Sequence, residues 1–257
     1  NVRDLVLFGK HKNLTVYKRN LRESLNVFKS FEYLAGMRHS VIRPLLGCIF
    51  ITDQNKYGSG GHGKLTDVFL IKLNDVSKNV ISVMSAAQVY ENVAKWSAEF
   101  DADFNKIFTA DPVFSTAVLN IDREGPKPRK DIACFSEVKD YVSYFFNELA
   151  DLSIELPENI TTDMAKEILD LYVEEYDASR DKDGWFAHIK EMCEKLGYTP
   201  NVKEYKKNPD AYKGHVGDVS TVIRLAVTGR KNTPDLYAIM QILGEEEVKS
   251  RLKKALA

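Results

Sequence analysis

Cysteine is scarce here. Cys48, Cys134 and Cys193 are the only three in 257 residues, widely spaced and odd in number. They form neither a disulfide framework nor a zinc-ligand cluster, and a reducing cytoplasm is the expected location. No apolar run approaches the roughly 18–20 residues that span a bilayer, so a membrane partner is not expected. Net charge is nearly absent at −1, which removes any whole-chain polyelectrolyte argument and leaves no case for DNA as a partner. Catalytic pairings are missing too. His11, His39, His62, His188 and His215 are scattered, with no H-x-x-x-H pair, no G-x-S-x-G elbow and no cysteine in a nucleophile setting. Glu174-Glu175 and Asp181/Asp183 fit solvated faces or helix caps. No catalytic residue, metal site or cofactor site is therefore expected in this chain. The first residue is Asn and no signal-peptide pattern follows, so the sequence is expected to be a piece of a longer protein.

What is present is a globular composition, 44% hydrophobic and 28% charged, with charge unevenly spread. Residues 1–60 hold 10 Lys+Arg against 4 Asp+Glu, residues 61–257 hold 26 against 33, and residues 201–257 hold 11 against 7. Basic surface is therefore local and lies towards the two ends.

The first 64 residues form an irregular segment. Stretches 2–8 and 14–17 are strand-like, 21–34 is amphipathic through Leu21, Leu25, Phe28 and Phe31, and 48–52 suits a strand. Gly58-Ser-Gly-Gly-His-Gly63-Lys64 matches both G-x-G-x-x-G and G-x-x-x-x-G-K. A phosphate loop needs a hydroxyl after its lysine and a helix opening at the loop. Leu65 stands in the hydroxyl's place and an extended run follows, so a glycine-rich linker is the better reading.

From Leu73 the pattern is helical, with eight or nine helices expected. Asn74 or Asp75 caps a first helix to about Met84. Ser85 caps the next, with Val89, Tyr90, Val93 and Trp96 on one face and Phe100, Phe104, Ile107 and Phe108 continuing the period as core. Asp111-Pro112 opens another, buried through Val113, Phe114, Ala117 and Val118. The stretch 122–131 breaks the pattern with two prolines and a glycine, and concentrates Arg123, Lys127, Arg129 and Lys130. Ser136 caps a helix burying Val138, Tyr141, Val142, Phe145 and Phe146. After a break at Leu156-Pro157 come helices over 163–178 and from Asp183 to Gly197. Residues 201–214 are lysine-rich around Pro209.

The C-terminal stretch 219–246 is written as two helices and a tight basic turn. Val219, Val222, Ile223 and Ala226 recur at helical spacing. Gly229 stops the helix in the left-handed conformation. Thr233 offers a hydroxyl cap with Pro234 at the first helical position. Leu236, Ile239, Met240 and Leu243 form the next stripe, closed by Gly244. Arg230 and Lys231 are left in the turn, with Arg224 one helical face away. A final helix from Glu245 places acids first and bases last, as its dipole prefers, with i,i+4 pairs Glu245/Lys249 and Glu247/Arg251. Taken alone, this is a helical hairpin with charges at its corner.

Several blocks together resemble a known family. Residues 72–90 (KLNDVSKNVISVMSAAQVY), then Lys127-Pro-Arg-Lys-Asp-Ile-Ala and Ser136-Glu-Val-Lys-Asp-Tyr-Val-Ser-Tyr-Phe-Phe146, then Asp183-Gly-Trp-Phe, and finally 223–236 (IRLAVTGRKNTPDL) with Leu243-Gly-Glu-Glu, stand in this order. They resemble the C-terminal, anticodon-binding half of bacterial glutamyl-tRNA synthetases of clostridial type, over about residues 65–257. The resemblance implies a mainly α multi-helix bundle or cage, divided into a linker and stem-contact-like part (65–155) and an anticodon-binding part (156–257). It implies a class I glutamate–tRNA ligase of protein biosynthesis, which uses ATP and magnesium in its complete form. The His-x-Gly-His and Lys-Met-Ser-Lys-Ser type motifs of adenylate formation are not in this chain, so the catalytic half is missing and no adenylate is expected from it. The implied partner is the anticodon arm of tRNA. Its implied contacts are Arg123, Lys127, Arg129, Lys130, Arg224, Arg230 and Lys231, positioning phosphates and touching splayed bases. A stand-alone RNA-binding helical module and a helical protein-interaction scaffold are the alternatives.

Overall fold

The computed structural model describes residues 74–255. The strand-like stretches 2–8, 14–17 and 48–52, the amphipathic 21–34 and the glycine-rich 58–64 lie outside the described residues. The described residues are helical, and their only β pairing is an isolated bridge between Thr199 and His215. No helix among them is long and apolar enough to cross a membrane.

They fall into two compact units. The described part of the first comprises residues 74–84 and Lys130–Val138. It holds helix α1 (74–82) and a 3₁₀ turn at Phe135–Glu137. The Ser77 hydroxyl donates to the Ala133 carbonyl at 2.5 Å, and the Ala133 N–H donates to Glu137 Oε2 at 2.7 Å. Ser136 does not cap the helix after it, since its Oγ lies 2.9 Å from Cys134 Sγ inside the 3₁₀ turn.

The second unit begins at Ser85. Its first helices are α2 (Ala86–Phe100), α3 (Ala102–Phe108) and α4 (Pro112–Asn120). Ser85 and Gln88 close a capping box on α2, which satisfies two orphan donors reciprocally. Asp101 ends α2 and caps α3 through the Phe104 N–H, splitting what the period read as one run. The buried face of α2 is Ala86, Val89, Val93 and Ser97. Phe104 and Phe108 are core as expected, but Phe100 lies at the surface, stacked on Trp96. Asp111 caps α4, with Pro112 in the first turn. Its buried positions are Ser115, Val118 and Leu119, while Val113 is exposed.

Helix α5 (Val138–Val142) tightens into a 3₁₀ turn at Ser143–Phe145. The change from 3.6 to 3.0 residues per turn rotates the buried face, so Tyr144 rather than Tyr141 is buried beside Val142, Phe145 and Phe146. Next come α6 (Thr162–Glu175), capped by Thr161, and α7 (Lys182–Leu196), capped by Asp181 and stopped by left-handed Gly197. A short helix, α8 (Val202–Lys207), forms in the lysine-rich stretch. It and the split at Asp101 raise the helix count above the nine expected.

Helices α9 (Val216–Thr228), α10 (Leu236–Leu243) and α11 (Glu245–Ala255) complete the unit. Helix α9 packs on α6, α7 and α11 and buries Val219, Val222, Ile223, Leu225, Ala226 and Val227. Each of the Val, Ile and Leu side chains contributes about 1.5–3 kcal/mol when fully buried, which makes α9 the central strut. Helix α10 packs on α11 and α4.

Candidate nucleic-acid interface

The connection from α9 to α10 is built in three steps. Gly229 ends α9 at φ 68°, and its N–H donates to the Leu225 carbonyl at 2.7 Å. An added Cβ would collide with the Asp151 carbonyl oxygen, so close backbone approach and left-handed geometry both demand glycine. Thr233 and Pro234 then fall in the connection rather than in α10. The cap of α10 is Asp235, whose carboxylate accepts from the Ala238 N–H at 2.9 Å. The Thr233 hydroxyl is engaged by Arg224, which leaves the capping role to Asp235.

Arg224 turns inward. Its Nη1 donates to the Thr233 hydroxyl and to the Pro234 carbonyl at 3.0 Å. Burial pulls its guanidinium below the ordinary arginine range, and the Asp235 carboxylate opposes that shift. Arg224 thus staples the connection to α9.

Arg230 Nη2 donates to Asp140 Oδ1 at 2.8 Å, the Asp140 carbonyl at 2.7 Å and the Ser143 hydroxyl at 3.0 Å. Its guanidinium carbon lies 5.6 Å from the centre of the Tyr144 ring, within cation–π range. Burial raises the Tyr144 phenol and Tyr141 adds to it, while Arg230, Arg224 and Arg129 pull it down. Arg230 is thus held over the Tyr144 ring, and the charges of Arg224 and Arg129 also act on its phenol. Lys231 pairs with Glu155 at 3.3 Å.

The loop after α4 is anchored to the same place. Asp122 adopts φ 55°, a left-handed conformation that Asp tolerates better than most residues. Its carboxylate accepts from the Asp235 N–H at 2.9 Å, and its carbonyl accepts from the Arg129 N–H at 3.3 Å. Asp235 also pairs with Lys182 at 2.7 Å, a hydrogen bond that raises the lysine. Arg123 folds back, with Nε donating to the Leu119 carbonyl at 2.9 Å, and burial lowers it. Lys127 is exposed. Lys130, also exposed, belongs to the other compact unit.

Sequence reasoning thus found the cations but missed what holds them, namely Asp122, Asp140, Glu155, Asp235 and Tyr144. Only the strict spacing of a helix that tightens at its end could have marked Tyr144. Acids paired at separations of 76 and 90 residues leave no local signal. Among the described residues no group of three or more His, Cys, Asp and Glu is placed to hold a metal ion.

Residues 205–256 match the family profile described as "Anticodon binding domain". Among curated proteins, the glutamate–tRNA ligase of Clostridium perfringens (strain SM101 / Type A) is 47% identical over 192 residues, covering 73% of this chain and 35% of that protein. That of Clostridium beijerinckii is 46% identical over 202 residues, covering 77% and 36%. The glutamate–tRNA ligase of Sorangium cellulosum is 35% identical over 204 residues, covering 79% and 35%. The chain spans about a third of the length of the curated relatives it matches. Over about residues 65–257 it resembles the C-terminal, anticodon-binding part of bacterial glutamate–tRNA ligases, with an anticodon binding domain at residues 205–256.

Proposed function

We propose that this chain binds the anticodon arm of the glutamate tRNA as part of a glutamate–tRNA ligase, in the cytoplasm. The observation that carries this reading is the guanidinium of Arg230, held over the Tyr144 ring at the Gly229 turn, within the segment that matches the anticodon binding domain. A guanidinium held over an aromatic ring offers a planar face for an unpaired base and N–H donors for phosphate.

Roles divide according to packing. Lys127 and Lys130 are exposed cations suited to phosphate positioning. Arg230 and Lys231 stand at the turn as direct contacts. Arg129 lies at the foot of the loop, and Arg123 and Arg224 act chiefly by holding loop and turn in place. Residues 65–155 serve as the linker and stem-facing part, and 156–257 as the anticodon-facing part. In the complete ligase a separate catalytic half activates glutamate with ATP and magnesium.

Filter binding of the purified chain tests this reading. The glutamate tRNA should bind several-fold tighter than an unrelated tRNA, and affinity should fall steeply with salt as phosphate contacts release counterions. Equal affinity for both tRNAs would instead describe a generic RNA-binding module, and affinity independent of salt a protein scaffold. The same chain should give no ATP–pyrophosphate exchange.

A further inference from the structure

The two cations of the basic turn are covered by acids that face the solvent more than the cations do. Asp140 has 84% of its side chain exposed against 31% for Arg230, and Glu155 has 91% against 49% for Lys231. The hydrogen-bonding edge of Arg230 is occupied, since Nη2 has three acceptors within 3.0 Å and Nη1 has Asp140 Oδ2 at 3.5 Å. An RNA phosphate arriving at this edge meets a carboxylate already in the position it would take.

We infer that Asp140 and Glu155 set the affinity threshold of the basic turn: their carboxylates stand in for phosphate on Arg230 and Lys231, and RNA that binds there must displace them. This rests on the proposed tRNA binding at the turn. The chemistry suits an exchange. A carboxylate and a phosphate both accept the paired N–H donors of a guanidinium, so one can replace the other without rebuilding the site. Tyr144 beneath Arg230 and the Asp140 carbonyl remain as supports throughout. Exposed ion pairs change an equilibrium by at most about five-fold each. The cost falls on every RNA alike, so RNA with many other contacts stays bound and RNA with few does not. Two such pairs lower affinity by up to about 25-fold without any base being read.

The test compares Asp140→Asn and Glu155→Gln, singly and together, with Glu158→Gln as a control. Glu158 is an exposed acid of the same connection that pairs with no cation among the described residues. Affinity is measured over a salt series for the glutamate tRNA and for an unrelated tRNA. The expected result is that the double variant binds the unrelated tRNA about five- to ten-fold tighter. Its log–log salt slope should steepen by about 0.7–0.9 per released cation. The glutamate tRNA should gain by a similar factor, so that the ratio of the two affinities is kept. Glu158→Gln should move both RNAs slightly and equally. If the double variant matches Glu158→Gln, or weakens both RNAs, the acids are neutral or positioning groups and the inference is overturned. A wild-type chain that binds the two tRNAs equally defeats the functional reading, and with it this inference. Wild-type discrimination with an inert double variant defeats the inference alone.

Discussion

At the scale of single residues, the same side-chain type serves opposite ends. Arg224 is written in the sequence like any helix-surface cation, yet it donates to the Thr233 hydroxyl and the Pro234 carbonyl and holds the connection shut. Hydrogen bonds from a charged donor are worth about 1.5–3 kcal/mol. Arg224→Ala should therefore lower the stability of the unit by about 2 kcal/mol in urea unfolding, and Arg224→Lys should recover only part, because an ammonium cannot span the same acceptors. His188 gives a prediction in pH. It is buried in α7, with Glu175 Oε2 3.6 Å from its Nε2. Burial pulls the imidazole below its ordinary value, Arg180 and Lys195 add to that, and Glu175 and Glu191 oppose it. The unfolded chain then takes up the proton more readily than the folded one. Stability should fall as pH drops below about 6.5. The urea midpoint at pH 5.5 should lie below that at pH 7.5, and His188→Gln should shrink the difference.

At the scale of elements, helix existence was legible and helix faces were less so. Ser85, Asp111, Gly197, Gly229 and Gly244 stop or start helices as their chemistry dictates. These signals are local, so sequence carries them. Ser136 and Thr233 failed as caps because a neighbour claimed each hydroxyl, Cys134 in one case and Arg224 in the other. Phe100 and Val113 failed as core because each lies beside a helix junction, where the apolar stripe turns away from the packed side. The cations of the candidate site were visible as residues, whereas their pairing with Asp140 and Glu155 depends on tertiary packing that no period encodes. Gly229 shows a local signal and a distant contact coinciding. A side chain there needs the left-handed conformation, at about 1–2 kcal/mol, and must also push back the Asp151 backbone. Gly229→Ala should cost more than 2 kcal/mol in stability and should weaken binding of the glutamate tRNA, as measured by thermal unfolding and by filter binding.

At the scale of the whole unit, α11 buries Val248 and Leu252 together with one charged side chain. Arg251 is 1% exposed. Its Nη1 donates to the Tyr144 carbonyl at 2.6 Å and to the Val227 carbonyl at 2.9 Å, and its Nε to Glu247 at 2.7 Å. It therefore joins the 3₁₀ turn that carries Tyr144 to the end of α9, two sides of the candidate site. Arg251→Ala leaves two buried carbonyls without their donor, and should cost about 3 kcal/mol in urea unfolding. It should also loosen tRNA binding without touching RNA. The clamp sets an order of events during synthesis. Residues 144 and 227 are made before residue 251, and domains tend to fold as the chain emerges. Until Arg251 appears, the Tyr144 and Val227 carbonyls lack this donor and the two sides of the candidate site lack one of their ties. A chain made as far as the basic turn can thus carry every proposed RNA contact and still lack the packing that holds those contacts in place.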